Sequence, residues 1–342
     1  MKKKIFVSSI LVILILSVCL AMFAGCNSGY VVVKATDFDI PDTKFGESKL
    51  ENSTPVTADM SAYDMLNVAM ENFYNAEYAV VNYQGGVRMK ILGTIKVDQE
   101  VQSLKIRDGK GDITGKNVNK ATYFADNKSY SNMANLYEKM VFGSDGSIQW
   151  RNASGTKWEK ANPKKNKPEK WTVEKWNAID SDFTSIANEG EEKSFLAKNN
   201  NNPTIIWMYD LSKENILETF EPKYDETTKT YRFSLKFKPV ESTVEYVKTM
   251  KSQLENNGGI KVGDLQFKQL VINVVLWEDG TFRTLYVDET YSMTMTPVKG
   301  INLKNTIVRL TATQSFSYDP NEEGYDIQTY IDNFTNEKDL VA

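Results

Sequence analysis

Ser154 and Lys157 stand three residues apart in Ser154-Gly155-Thr156-Lys157, the spacing at which a lysine could take a proton from a nucleophilic serine. That chemistry needs the serine at a helix start. Here the tetrapeptide lies between Trp150 and Trp158 in a strand-rich stretch, where Ser-Gly reads as a turn. Gly109-x-Gly111-x-x-x-Gly115 carries the glycines of a phosphate-cradling loop at the wrong spacing and opens no helix, so it reads as a loop. The carboxylate pairs Asp180/Asp182, Asp288/Glu289 and Glu191/Glu192 could in principle supply the acid and base of a glycosidase, which face each other across about 5–10 Å. Neighbours on a strand point to opposite faces, and with 45 acidic residues the sequence selects no pair. The solvated-face reading is preferred.

Absences narrow the field. The 342 residues include no histidine, which excludes a Ser-His-Asp triad, a Cys-His pair and imidazole metal ligands. No calcium loop with alternating Asp/Asn and a closing Glu is present. Formal net charge is −4 and only 6 of the 41 basic residues are arginine, so neither nucleic acid nor bidentate phosphate recognition is expected. No metal or cofactor is expected, and the chain reads as a non-enzyme.

One basic segment stands out. Lys157, Lys160, Lys164, Lys165, Lys167 and Lys170 fall within fourteen residues stiffened by Pro163 and Pro168, with Trp158 and Trp171 near the ends. Such a loop could meet anionic headgroups or wall polyanions. The alternative is a solvated loop whose tryptophans pack into the body.

The N-terminus reads as an address. Lys2, Lys3 and Lys4 precede an apolar run from Ile5 to Phe23, followed by Ala24, Gly25 and Cys26. Phe23-Ala24-Gly25-Cys26 resembles the lipobox of bacterial lipoproteins, with Phe23 in place of the usual Leu. The resemblance implies cleavage after residue 25, lipid on Cys26, and a body held on the extracytoplasmic face of the cell membrane. An uncleaved anchor is the other reading. With Cys19 removed and Cys26 lipidated, the body has no disulfide and no cysteine nucleophile. Residues 26–58 are mostly polar and read as a lipidated tether, with Tyr30-Val31-Val32-Val33 as a strand candidate.

Residues 59–335 then read as one α+β domain, and 336–342 as a tail. Tyr63, Leu66, Met70 and Phe73 recur at helical steps over Met60–Ala76, behind a Ser61 or Asp59 cap. Burying those four would contribute on the order of 6–12 kcal/mol before entropy. Period-two alternation predicts strands over Tyr78–Ile91 (with a bulge or kink at Gly85-Gly86), Thr94–Ile106, Ala121–Phe124, Leu136–Phe142 and Ser147–Arg151. Asp126-Asn127 and Asp145-Gly146 read as turns.

Two helices are expected next. One starts at Thr172, stapled by Trp171 and Trp176; the other starts at Ser212 and runs through Ile216, Leu217 and Phe220. The polar stretch Asn188–Pro203 between them reads as a loop. Tyr231, Phe233, Leu235 and Phe237 alternate as a strand. Ser242-Thr243-Val244-Glu245 reads as a capping box for a helix to about Asn256. Leu265–Trp277 and Thr281–Met295 form a hairpin about Asp279-Gly280, and Leu303–Tyr318 closes the set. Leu270–Trp277 is apolar on both faces, as in a strand covered twice.

This order of elements resembles the LolA-like and LppX-like lipoprotein folds, in which a strongly curved antiparallel sheet, half-barrel-like, packs on an N-terminal helix and two to three further helices. No family site residue can be matched here. Members of that group bind lipids or acyl chains, so the resemblance implies a membrane-anchored protein that binds a lipid or other apolar ligand without catalysis, as carrier or sensor. An envelope interaction or scaffold module without a small ligand, touching a protein partner, is the alternative. A carboxylate-based extracytoplasmic hydrolase is the third.

Overall fold

The computed structural model describes residues 45–48, 50–91, 95–109, 122–131, 135–142, 147–182, 209–258, 261–298 and 301–335. Residues 23–26 with Cys26, the Val31–Val33 run, Asp145-Gly146 and the Asn-rich stretch lie outside them. The architecture is α+β: a large antiparallel sheet with a few helices packed on it.

Helix α1 (Ala62–Asn75) begins where the sequence places it, with the Ser61 hydroxyl accepting the Asp64 backbone N–H at 3.2 Å. Its buried face is Ala62, Met65, Leu66, Ala69, Asn72 and Phe73, while Tyr63 and Met70 are only half-buried. The stripe is therefore rotated from the one expected, because small Ala62 and Ala69 let the helix sit close to the sheet.

The first run of strands is β1 (Tyr78–Ile91), β2 (Ile95–Asp108), β3 (Thr122–Ser131), β4 (Asn135–Phe142) and β5 (Ser147–Ser154). A small hairpin follows, β6 (Lys157–Glu159) with β7 (Lys170–Thr172), and then β8 (Lys175–Asp182). The second run is β9 (Ile216–Asp225), β10 (Thr230–Phe237), helix α2 (Val244–Gly258), β11 (Lys261–Trp277), β12 (Phe282–Val298), β13 (Ile301–Ser317) and helix α3 (Ile327–Thr335). Eleven strands share one sheet in the order β8-β5-β4-β3-β2-β1-β13-β12-β11-β10-β9. The two runs thus meet at the β1–β13 pair, with Val81 opposite Phe316. The sheet is open, with β8 and β9 at its edges.

Five local expectations are corrected. No helix starts at Thr172: Trp171 lies in β7 and Trp176 in β8. Nor does Ser212 start one; a single 3-10 turn, Lys213–Asn215, leads into edge strand β9. Asp126 and Asn127 lie within β3, bonded sideways to Tyr137 and Ser103, rather than in a turn. Gly85-Gly86 makes no bulge, since β1 pairs in unbroken register with both neighbours. A Cβ on Gly85 would stand 2.9 Å from the Tyr83 hydroxyl and from the Thr311 carbonyl, so the glycine makes room for the Tyr83 ring. The Ser242 capping box does not form: the Ser242 hydroxyl is buried without a partner among the described residues, Thr243 donates to the Pro239 carbonyl at 2.7 Å, and Glu245 bonds Lys248.

The body also begins earlier than the tether's composition implies. Phe45 and Val56 are buried, and Asn72 of α1 holds both the N–H and the carbonyl of Thr54 at 2.9 Å. Gly280, with φ +80°, closes the β11–β12 turn against the same Thr54 carbonyl.

Register divides the sheet into two faces. One carries Val81, Phe316, Leu285, Val274 and Phe233, and packs on α1. Helix α2 continues the cover of that face beyond α1, over Val262, Leu265, Phe267 and Met295. The other face carries Tyr78, Val80, Ile106, Phe124 and Val141, and packs on α3. As expected for a strand covered twice, Leu270–Trp277 is buried at every position.

Candidate functional site

The helix-packed face changes character across β1. On the β10–β13 side, Phe73, Phe233, Phe282 and Phe316 fill the space beneath α1, with Phe282 and Phe316 stacked at 5.1 Å. On the β2–β4 side, the same face presents Gln99, Ser103, Lys105, Asn127, Ser129 and Glu138. Gln99 bonds Ser129, Ser103 bonds Asn127, and Asn127 reaches Glu138 at 3.4 Å. Burial lowers the Lys105 ammonium to about 8, against the pull of Glu138.

Between these halves the sheet retains open surface. Tyr83, Val101 and Leu310 are only half-buried, although β1, β2 and β13 are the innermost strands. Leu310 joins Tyr246 and Val247 of α2 against one apolar cluster. An antiparallel sheet can leave part of one face open, and these three side chains mark such a stretch. Tyr83 leans across Gly85 into this space, next to Ala312 in register.

A buried carboxylate borders this open stretch. Glu289 of β12 pairs in register with half-buried Leu310 and is 0% exposed. The Tyr209 hydroxyl donates to one of its oxygens at 2.6 Å, and that of Tyr246 on α2 to the other at 3.4 Å. Burial raises Glu289 to about 7, and the two tyrosine hydrogen bonds pull the other way. The phenols in turn are held above their ordinary range, by burial first and then by the carboxylate. Gln314, in register with Tyr83, is 0% exposed, and among the described residues neither atom of its amide has a partner.

The neighbouring acid is elsewhere. Asp288 points to the opposite face and holds Arg309 in a two-bond fork, at 3.0 and 2.6 Å. This is the opposition that strand geometry imposes on Asp288/Glu289, and it leaves that pair unable to converge on one bond. The side chains of Asp180 and Asp182, and Glu191/Glu192 altogether, lie outside the description. Ser154 ends β5 with its hydroxyl on the Lys175 carbonyl, and Gly155 (φ +62°) makes the expected turn. Gly111 and Gly115 are outside the described residues. Among the described residues no group of acidic side chains is placed to hold a metal ion, and no helix is long and apolar enough to cross a membrane.

The basic segment forms a flap on the α3-side face. Trp158 and Trp171 are register partners across β6–β7 and stack at 5.8 Å. They pack on Tyr130 at 4.2 Å and Tyr137 at 5.5 Å, so both tryptophans staple the flap to the body. Lys160 pairs with Glu100 at 3.1 Å and Lys157 with Glu159 at 3.3 Å. Lys164, Lys165, Lys167 and Lys170 are exposed and form no ion pair among the described residues. The flap therefore keeps its tryptophans inward and its lysines outward. The notch beneath it, between Tyr130, Trp158 and Trp171, measures about 10 Å³, room for one water.

No family model and no curated protein sequence matches the chain. Among solved structures it is similar to DynF from the dynemicin biosynthesis pathway of Micromonospora chersina, at 6% identity. The match covers 81% of this chain and 92% of that one, with a TM-score of 0.18, too low to carry an argument.

Proposed function

We propose that this is a lipoprotein, anchored through Cys26 to the extracytoplasmic face of the membrane, that binds a lipid or other apolar-bodied ligand in the hollow over β2, β1 and β13 without catalysis. The observation that carries this reading is the half-exposure of Tyr83, Val101 and Leu310 in the innermost strands, on the face the helices pack against. An apolar floor beside a few polar groups is what a small-molecule site requires. The space under α1 itself is filled by the protein's own phenylalanines, so the ligand's room lies beyond the helix rather than beneath it.

Replacing Val101 and Leu310 together by Trp fills the hollow. The double variant is expected to lose binding of an environment-sensitive apolar dye, and displacement of that dye by a long-chain alcohol, while its circular dichroism stays native. Undiminished dye binding by the folded double variant contradicts the reading.

A second reading rests on the flap. Four unpaired lysines on a rigid, tryptophan-stapled hairpin suit contact with an anionic envelope polymer, as an interaction module would need.

A further inference from the structure

We infer that the hollow selects a ligand carrying a primary ammonium head, with Glu289 as its anchor; this rests on the ligand-binding reading above. The argument begins with what Glu289 lacks. It is wholly buried, yet among the described residues no lysine or arginine pairs with it, and Arg309 serves Asp288 on the far face. Its register neighbours on both sides are apolar, Leu270 and Leu310. A carboxylate in such a place costs several kcal/mol unless it keeps its proton or a cation joins it.

What surrounds Glu289 is an aromatic wall. Tyr209 and Tyr246 meet edge to face at 5.6 Å, Tyr246 lies 5.5 Å from Phe267, and Phe267 lies 4.9 Å from Tyr291. Tyr83 closes the side toward the hollow. Ring faces beside a carboxylate attract organic ammonium groups and offer nothing to an anion. Gln314 adds an independent sign. Its amide is fully buried with its oxygen and nitrogen both unpartnered among the described residues, and it stands next to Tyr83 on the same face. It stands four residues along β13 from Leu310, the register partner of Glu289, so its oxygen is an acceptor for a hydroxyl further along the ligand rather than for the ammonium itself. The longer of the two tyrosine bonds to Glu289, from Tyr246 at 3.4 Å, is the one a ligand would displace.

The test uses the full chain kept soluble in an amphipol, titrated calorimetrically with n-octylamine, n-octanol and octanoate. Octylamine is expected to bind about tenfold or more tightly than octanol, and octanoate more weakly than either. In Glu289→Gln the octylamine preference is expected to vanish while octanol binding is retained. Equal binding of octylamine and octanol by the wild type overturns the inference and leaves the ligand-binding reading standing. So does an octylamine preference that survives in Glu289→Gln. If that variant does not fold, the wild-type comparison decides alone. Failure of all three probes to bind overturns both readings.

Discussion

Glu289 shows how one side chain can set a pH response. Its folded-state value of about 7 lies above its ordinary 4.5, so the folded protein keeps a proton that the unfolded chain gives up between those two values. The stability this group supplies is therefore complete below about 4.5 and is lost as pH rises to about 7, on the order of 3 kcal/mol in all. Urea melts across that window are expected to show the decline in the wild type and its absence in Glu289→Gln. An unchanged slope in the variant would place the titration on another group. None of this was legible in the sequence, where Glu289 is one acid among 45. Its partners Tyr209 and Tyr246 are 80 and 43 residues away, and only the fold brings them to it.

At the scale of elements, two arginines perform the same task on opposite faces. Arg107, 1% exposed, donates to the Phe73 and Ala76 carbonyls at the end of α1 and lies over the Phe73 ring. Arg151 donates to the Phe334 carbonyl at 2.6 Å near the end of α3 and lies over the Phe334 ring. Each satisfies orphan carbonyls with a charge that suits the helix's negative end. Strong periodicity was readable: β1, β10, the β11–β12 hairpin and α1 fall where their patterns put them. Helix α3 is missed by the sequence reading, although Ile327, Tyr330, Ile331 and Phe334 recur at helical steps behind Asp326, which accepts the Gln328 and Thr329 N–H groups.

Short and marginal elements were not readable. β7 has three residues, too few to show alternation, and Trp171 with Trp176 imitates a helix staple. Edge strand β9 buries little, leaving Leu217 exposed, so its period is blurred. The flap's own prediction belongs at this scale. Changing Lys164, Lys165, Lys167 and Lys170 together to Gln is expected to weaken binding to a soluble polyphosphate about tenfold or more, and to flatten its salt dependence. Trp158 and Trp171 fluorescence should stay native. Unaltered affinity would reduce the flap to a solvated ornament of the sheet.

For the whole molecule, the organising fact is the joining of two meanders at β1 and β13 into one open sheet. On the face that α1 covers, β2–β4 bring mostly polar side chains and β10–β13 mostly apolar ones, and the proposed hollow lies where they meet. The α+β class followed from element order, since antiparallel runs flanking a helix have few other ways to bury it, whereas the joining of both runs in one sheet is seen only in the β1–β13 pairing. The hollow did not follow, because it depends on what the helices leave uncovered rather than on what they cover.

The central claim is that this hollow holds a ligand. Its most direct measurement is the native mass of the body, Asn27 to Ala342, followed by solvent extraction. A copurifying amphiphile close to one per chain, absent after substitution of Val101 and Leu310 by Trp, is the predicted result. A bare polypeptide mass that persists after incubation with envelope lipids would contradict it.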